Sequence, residues 1–180
     1  MKLPYNCPLV SLGLQRHFRM TSQHNLLFIH GLAGSGQGFK ATYLLGLYPD
    51  LLAPDFPGDF YERMAQLRLL LANSTGWTLI GSSMGGLMAT VYACTHPGLI
   101  DRLVLLAPAL NYIDPEDNTL QLTDIPVTVI HGLRDDIVPI DKTREMAEHL
   151  FSNLTFMTFD ATHDLNAIVP LLDWPALLGH

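Results

Sequence analysis

Trp77-Thr78-Leu79-Ile80-Gly81-Ser82-Ser83-Met84-Gly85-Gly86-Leu87-Met88-Ala89 is the stretch on which the reading of this chain turns. A short apolar run leads into a turn of glycine and serine, and an apolar helical pattern, Met84–Thr95, follows at once. The order is strand, tight turn, helix. Ser83 stands at the centre of a G-x-S-x-G pattern in that context. A side chain on such a turn is held outward by a crowded backbone, which makes Ser83 the candidate nucleophile. Residues two positions to either side must do without a Cβ, so glycine belongs at 81 and 85. Gly86 lets the helix pack close to the sheet. The first N–H groups of the helix have no partner inside it and can face a developing negative charge. Ser82, at the variable position, is expected to pack or hydrogen-bond locally.

Outward from this turn the same alternation repeats. Apolar, strand-sized runs occur at Leu26–His30, Leu51–Ala53, Trp77–Gly81, Leu103–Ala107, Val127–His131 and Leu154–Phe159, each bounded by Gly, Pro, Asp or Asn. Runs that are apolar on both faces suit strands of a parallel sheet covered on both sides. Helical patterns lie between them, at Gly38–Leu47, Phe60–Leu71, Met84–Thr95, Lys142–Leu150 and Asn166–Leu178. In the second of these Met64, Leu67 and Leu71 form one stripe, with Arg63 and Gln66 read as outside it. His96-Pro97 ends the third, because the residue before proline avoids the helical region. The expected fold class is α/β: a single-domain three-layer sandwich with a mostly parallel sheet flanked by helices. Residues 26–180 form that domain, and residues 1–25 an irregular leader, with Val10–Phe18 as a possible edge strand. Met20 is an alternative start.

Three further strand ends carry polar groups. After Leu26–Ile29 comes His30-Gly31-Leu32-Ala33-Gly34-Ser35-Gly36. Its glycines let the Leu32 N–H turn toward a bound carbonyl oxygen, so Leu32 and Met84 together would supply a two-donor oxyanion hole. Phosphate cradling is the weaker reading, since G-x-x-x-x-G-K-[ST] is absent and Lys40 stands out of register. His30 is expected to orient the loop. After Val127–Ile130 comes His131-Gly132-Leu133-Arg134-Asp135-Asp136-Ile137-Val138-Pro139, where Asp135 and Asp136 compete as the acid. After Leu154–Phe159 comes Asp160-Ala161-Thr162-His163-Asp164, which makes His163 the candidate base. In open α/β sheets, ligands bind beyond the carboxyl ends of the strands, and all four of these segments lie there.

Composition narrows the function class. The chain has 180 residues and a net charge of −7 with histidine neutral, which lacks the basic face that nucleic-acid binding requires. With 48% hydrophobic and 15% charged residues it is a folding sequence. Mean hydropathy is +0.22, yet no apolar run approaches the roughly 20 residues of a membrane span. Cys7 and Cys94 read as free thiols in a reducing, cytoplasmic setting, and neither they nor the scattered histidines have zinc-site spacing.

These residues resemble the α/β-hydrolase superfamily, and in particular its small, lid-less serine esterases. The resemblance runs from Leu26 to His163. It rests on His30-Gly31 with its glycine-rich loop, the Gly81–Gly85 elbow and the H-G-x-x-D-x-x-V-P pattern of His131–Pro139. Asp55-Phe56-Pro57-Gly58 matches the family's D-x-P-G turn. The family's acid falls on Asp135. Two departures are visible: Met1–Asn25 stands where the family's first antiparallel strands would be, and Thr162 replaces the usual glycine before the base.

The resemblance implies a Ser83–Asp135–His163 triad, an oxyanion hole from Leu32 and Met84, and hydrolysis of small esters through an acyl-enzyme, with no metal or organic cofactor. Activity is then expected to fall on the acid side, where a protonated imidazole cannot act as base. The segment from Pro108 to Asp124 is too short for a helical cap, so an open, apolar site is expected. Leu87, Leu110, Ile137 and Val138 are the expected substrate-binding residues, and Arg134 reads as a solvated loop residue rather than an anchor for an anionic acyl group. Thioesterase, lactonase or peptidase chemistry on the same triad is the alternative, as is a non-turnover ligand-binding protein of the same fold. The partner is a small-molecule ester or thioester. Sequence says nothing about oligomeric state.

Overall fold

Strand residues that alternate between two apolar neighbourhoods need a helical layer on each side. The computed structural model, which describes residues 25–72 and 74–179, has that arrangement. Five strands, β1 (Asn25–Ile29), β2 (Trp77–Ser82), β3 (Ile100–Leu106), β4 (Val127–Gly132) and β5 (Leu154–Phe159), form one sheet in that order. All four pairings are parallel. The connections carry α1 (Phe39–Leu47), α2 (Phe60–Leu71), α3 (Met84–Thr95) and α4 (Ile140–Leu150), and α5 (Trp174–Leu178) follows β5. Segment 1–24, with Cys7, Met20 and the edge strand expected at Val10–Phe18, lies outside the described residues.

Successive strand residues point to opposite faces. Leu27, Ile29, Leu103, Leu105 and Val129 pack with Leu67 of α2, Met88 of α3 and Met146 of α4. Leu26, Phe28, Ile80, Val104 and Ile130 pack with Leu44 of α1 and Trp174 of α5. The three-layer α/β sandwich expected from the sequence is therefore the fold.

Several expected elements are corrected. Leu51–Ala53 is not a strand: Leu52 makes one bridge to Leu27, with Phe28 N–H donating to its carbonyl at 2.8 Å and its own N–H donating to Leu26 at 2.9 Å. Pro54 follows directly and has no N–H with which to extend the pairing. This bridge lies on the edge of β1 away from β2. The chain thus leaves β1 to one side and returns through α2 to β2 on the other, and that reversal opens a crevice at the carboxyl ends of β1 and β2. The helix expected over Asn166–Leu178 is a single 3-10 turn, Val169–Leu171, followed by α5. Pro170 and Pro175 cannot supply interior helix N–H groups, and Asp173 restarts the chain by accepting from Ala176 N–H.

The helix α2 starts with a reciprocal cap. The Asp59 side chain accepts from Glu62 N–H at 3.0 Å, while Glu62 Oε2 accepts from Asp59 N–H at 2.8 Å. Arg63, read as lying outside the buried stripe, is instead 5% exposed. Its position three residues after Phe60 and four before Leu67 puts it on the inner face.

Candidate active site

The turn from β2 to α3 holds Ser83 at φ 53° and ψ −116°, a left-handed conformation that costs a non-glycine residue about 1–3 kcal/mol. The surroundings hold it there. Ser83 N–H donates to the Leu106 carbonyl at 2.9 Å, and the Ser83 carbonyl accepts from Gly86, Leu87 and Ala109 at 2.9, 3.1 and 3.1 Å. A Cβ on Gly85 would meet the Ile29 carbonyl oxygen, and one on Gly81 would sit 2.5 Å from the Gly85 carbonyl. Both clashes are with backbone, so a side chain at 85 would have to move β1 and one at 81 would have to move the start of α3.

Around this serine the structure assembles residues from three strand ends. His163 Nε2 is 3.0 Å from Ser83 Oγ, and His163 Nδ1 is 2.8 Å from Asp135 Oδ2. The ionised carboxylate can only accept, so the network assigns the proton to Nδ1 and leaves the Nε2 lone pair facing the serine hydroxyl. Asp135 Oδ1 accepts from Ile137 N–H at 3.0 Å and Val138 N–H at 2.8 Å. Burial pushes the Asp135 carboxyl up. The hydrogen bonds from Val138, His163 and Ile137, with the nearby imidazole charge, outweigh that and hold it below the ordinary carboxylate range. Asp136 is exposed. Thr162, where the family has glycine, is not among the residues with positive φ, so nothing in the backbone there requires glycine.

A second histidine stands behind the acid. His131 is fully buried, with Nε2 3.7 Å from Asp135 Oδ2 and Nδ1 3.1 Å from the Gly132 carbonyl. Burial lowers its affinity for a proton, partly offset by the Gly132 carbonyl and by Asp135. A neutral ring beside Asp135 leaves the carboxylate's charge to His163.

The loop after β1 is braced from behind. Phe56 N–H donates to His30 Nε2 at 2.9 Å, which leaves His30 Nδ1–H to donate to the Gly31 carbonyl at 2.7 Å. Gly36 N–H donates to Asp55 Oδ1 at 2.6 Å. Arg63 adds Nε–H to the Gly58 carbonyl at 3.0 Å, with longer contacts of 3.4 Å from Nη1 to Gly31 and from Nη2 to Leu32 carbonyls. Because a peptide unit is planar and trans, holding the Gly31 carbonyl inward turns the Leu32 N–H the opposite way. Among the described residues neither Leu32 N–H nor Met84 N–H has a backbone or side-chain acceptor.

Ser83 and His163 open onto a cleft of about 420 Å³, with Leu32, Met84, Ala109, Tyr112, Ile137 and Val138 among its walls. Two of the expected substrate contacts, Ile137 and Val138, are there. Leu87 and Leu110 are not. They are 5% and 0% exposed and belong to the core between the sheet and α2–α4. Leu87 follows the inward stripe of α3, and the 3-10 turn Leu110–Tyr112 turns Leu110 under and leaves Tyr112 74% exposed at the cleft mouth. The β3–β4 connection contains only that turn and no cap helix. Sequence reasoning missed Tyr112, Arg63 and Lys40 as cleft or loop residues. Only Arg63 had a usable signal, its helical phase relative to Phe60 and Leu67. Arg134 is paired with Asp160 at 2.6 Å, on the surface as expected.

A doubly covered parallel sheet, with a strained serine at a strand-to-helix turn and histidine and aspartate converging on it, is the architecture of the α/β-hydrolase fold. A family model described as the alpha/beta hydrolase fold matches residues 52–122. Human serine hydrolase BPHL is 27% identical over 160 aligned residues, covering 77% of this chain and 52% of that protein. The chain spans about half the length of the curated relatives it matches. Among solved structures, mouse alpha/beta hydrolase domain-containing protein 10 has a TM-score of 0.70 at 15% identity, over 83% of this chain and 86% of that one. An esterase of Pyrococcus furiosus has a TM-score of 0.65 at 19% identity, over 86% and 80% of the two chains. The chain has the α/β-hydrolase fold. No helix among its described residues is long and apolar enough to cross a membrane.

Proposed function

We propose that this protein is a lid-less serine esterase that cleaves small carboxylic esters through an acyl-enzyme intermediate. The observation that carries the reading is the unbroken hydrogen-bonded chain from Ser83 through His163 to Asp135 at the floor of an open cleft. Ser83 Oγ attacks the ester carbonyl carbon while His163 Nε2 takes the hydroxyl proton. The C–O bond breaks, and His163 returns that proton to the departing alkoxide. Water then attacks the acyl-serine, losing its proton to His163, and the acid leaves as Ser83 recovers its hydrogen. Asp135 keeps the imidazole in the working tautomer and stabilises its charged form. The Leu32 and Met84 N–H groups receive the oxyanion of both tetrahedral intermediates. The apolar walls at Tyr112, Ile137 and Val138 receive the rest of the substrate. A cytoplasmic setting fits the one described cysteine, Cys94, a free thiol whose pKa burial pushes up to about 12, so that it packs rather than reacts.

A fluorophosphonate probe is expected to label Ser83 and no other residue, read by the mass of the modified peptide. A matched panel of short-chain esters, thioesters, lactones and peptides is expected to be turned over in that order of preference. A thioester ahead of its oxygen ester would move the reading to thioesterase chemistry. An unlabelled Ser83 would make the protein a non-turnover binder.

Arg63 acts in this reading as a positioning residue, through the Gly31 and Leu32 carbonyls. Complete loss of one oxyanion donor costs roughly 10²- to 10³-fold in kcat, and Arg63→Met loosens a donor that His30 still holds, so about a tenfold fall is expected. The fall should lie in kcat with KM little changed. A purely structural role would lower the fraction of active protein and leave kcat per labelled serine intact.

A further inference from the structure

A second, smaller cleft of about 230 Å³ lies on the other side of the loop after β1, between that loop and α1. The two clefts share Gly31, Ala33, Gly34, Lys40 and Ser82 in their walls. Among the described residues, Lys40 is the only lysine or arginine that lines either cleft. Among the described residues its ammonium has no hydrogen-bond acceptor and no carboxylate within ion-pair distance, and residues 1–24 contain no acidic side chain. It is half-buried, on the first turn of α1.

A cation in that position is costly without a counter-charge. We propose that the small cleft receives a carboxylate carried by the substrate, with Lys40 as its counter-ion, so that the protein's esters combine an apolar part with a negative charge. This deepens the esterase reading above and rests on it. The apolar part lies against Ala109, Tyr112 and Ile137 in the larger cleft. The carboxylate lies beyond the loop, where Ser35 and Asn166 add polar side chains to the wall.

The other charges nearby leave this role open to a ligand. Asp164, on the far wall, is exposed and accepts from Asn166 N–H at 2.9 Å, and it acts on Lys40 only at a distance. Asp135 is already satisfied by His163 and two amides. Asp55 is held by Gly36 N–H and does not line the cleft. His30 is engaged at both ring nitrogens. Burial lowers the Lys40 pKa and Asp164 only partly restores it, so a bound carboxylate would favour the protonated form further. Arg134, the cation that the sequence offers first for an anionic group, is occupied by Asp160 on the surface.

The test compares charged and neutral esters of matched size at low ionic strength. On the acyl side the pair is the mono-4-nitrophenyl ester of glutaric acid and 4-nitrophenyl valerate. On the alcohol side it is 4-acetoxybenzoate and phenyl acetate. In at least one pair the charged ester is expected to have about tenfold higher kcat/KM, chiefly through KM, as one charge-assisted contact supplies. The pair in which this occurs tells which end of the ester faces Lys40. Lys40→Met should bring that ratio to about one, and Lys40→Glu should invert it; added salt should erode it in the wild type. A wild type that favours the neutral ester in both pairs, or a Lys40→Met ratio equal to the wild-type ratio, overturns the proposal. Calorimetric binding of glutarate and of benzoate to the wild type and to Lys40→Met needs no turnover. It decides the role of Lys40 even if no ester is cleaved, whereas absent labelling of Ser83 counts against the esterase reading alone. Binding of neither anion by the wild type, or equal binding by both proteins, overturns the Lys40 assignment.

Discussion

Ser83→Ala is expected to lower kcat for a chromogenic short-chain ester by about 10⁶-fold and to abolish fluorophosphonate labelling, with the fold intact. The size follows from the mechanism. Without Oγ no acyl-enzyme forms, and His163 and Asp135 have nothing to activate but water. What remains comes from the Leu32 and Met84 amides and from binding. Stability provides the internal control. Alanine inherits the left-handed φ of 53° that serine already adopts, so its Tm should stay close to wild type. Ser83→Gly is the informative companion: it should be equally inactive yet more stable than Ser83→Ala by about 1 kcal/mol, because glycine occupies that region without strain. Turnover retained in either variant removes Ser83 from the mechanism. A glycine variant less stable than the alanine one would mean that the turn carries no strain.

Asp135→Asn is expected to lower kcat by about 10⁴-fold at neutral pH. The asparagine amide can present an N–H to His163 Nδ1, which would then act as acceptor and carry its proton on Nε2. In that tautomer Nε2 cannot take the proton of Ser83. The carboxylate that stabilises the imidazolium is lost as well. Asp136→Asn, one residue along on the exposed side of the loop, should leave kcat within about twofold, as ordinary surface substitutions do.

Asp135 also links stability to pH. Its carboxyl is held below the ordinary carboxylate range in the folded protein. Its contribution is therefore fully present above the pKa of an unfolded carboxyl, and is lost as pH falls through the lower native value. Urea unfolding at pH 7 and at pH 3 should show the wild type losing more stability than Asp135→Asn over that interval. Equal losses would mean that the folded protein does not hold the Asp135 carboxyl below its unfolded pKa.

Much of this was legible in the linear chain, for identifiable reasons. The strands were found because Leu26–Ile29, Leu103–Leu106 and Val127–Ile130 are apolar on both faces, a local property. The elbow was found because Gly81, Ser83 and Gly85 answer a local steric demand. Elsewhere composition gives way to a proline or to helical phase. Leu51–Ala53 has a strand's composition, but Pro54 and its edge position limit it to one bridge. Asn166–Leu178 has a helix's apolar content, but Pro170 and Pro175 divide it. Arg63 lies outside the Met64, Leu67 and Leu71 stripe, yet its phase relative to Phe60 and Leu67 puts it behind the loop after β1.

Sequence by itself determined the alternation of strands and helices, the strained turn at Ser83 and the three loops that could bring it a base, an acid and an oxyanion hole. All of these follow from side-chain periodicity and backbone sterics within a few residues. Tertiary structure alone decided that His163 lies 3.0 Å from Ser83, that Leu87 and Leu110 face the core while Tyr112 faces the cleft, and that Lys40 lines two clefts with no ion-pair partner among the described residues. Those facts depend on which side of a wall a residue occupies and which charges lie across it. That is set by segments far away in the chain and cannot be read from any one of them.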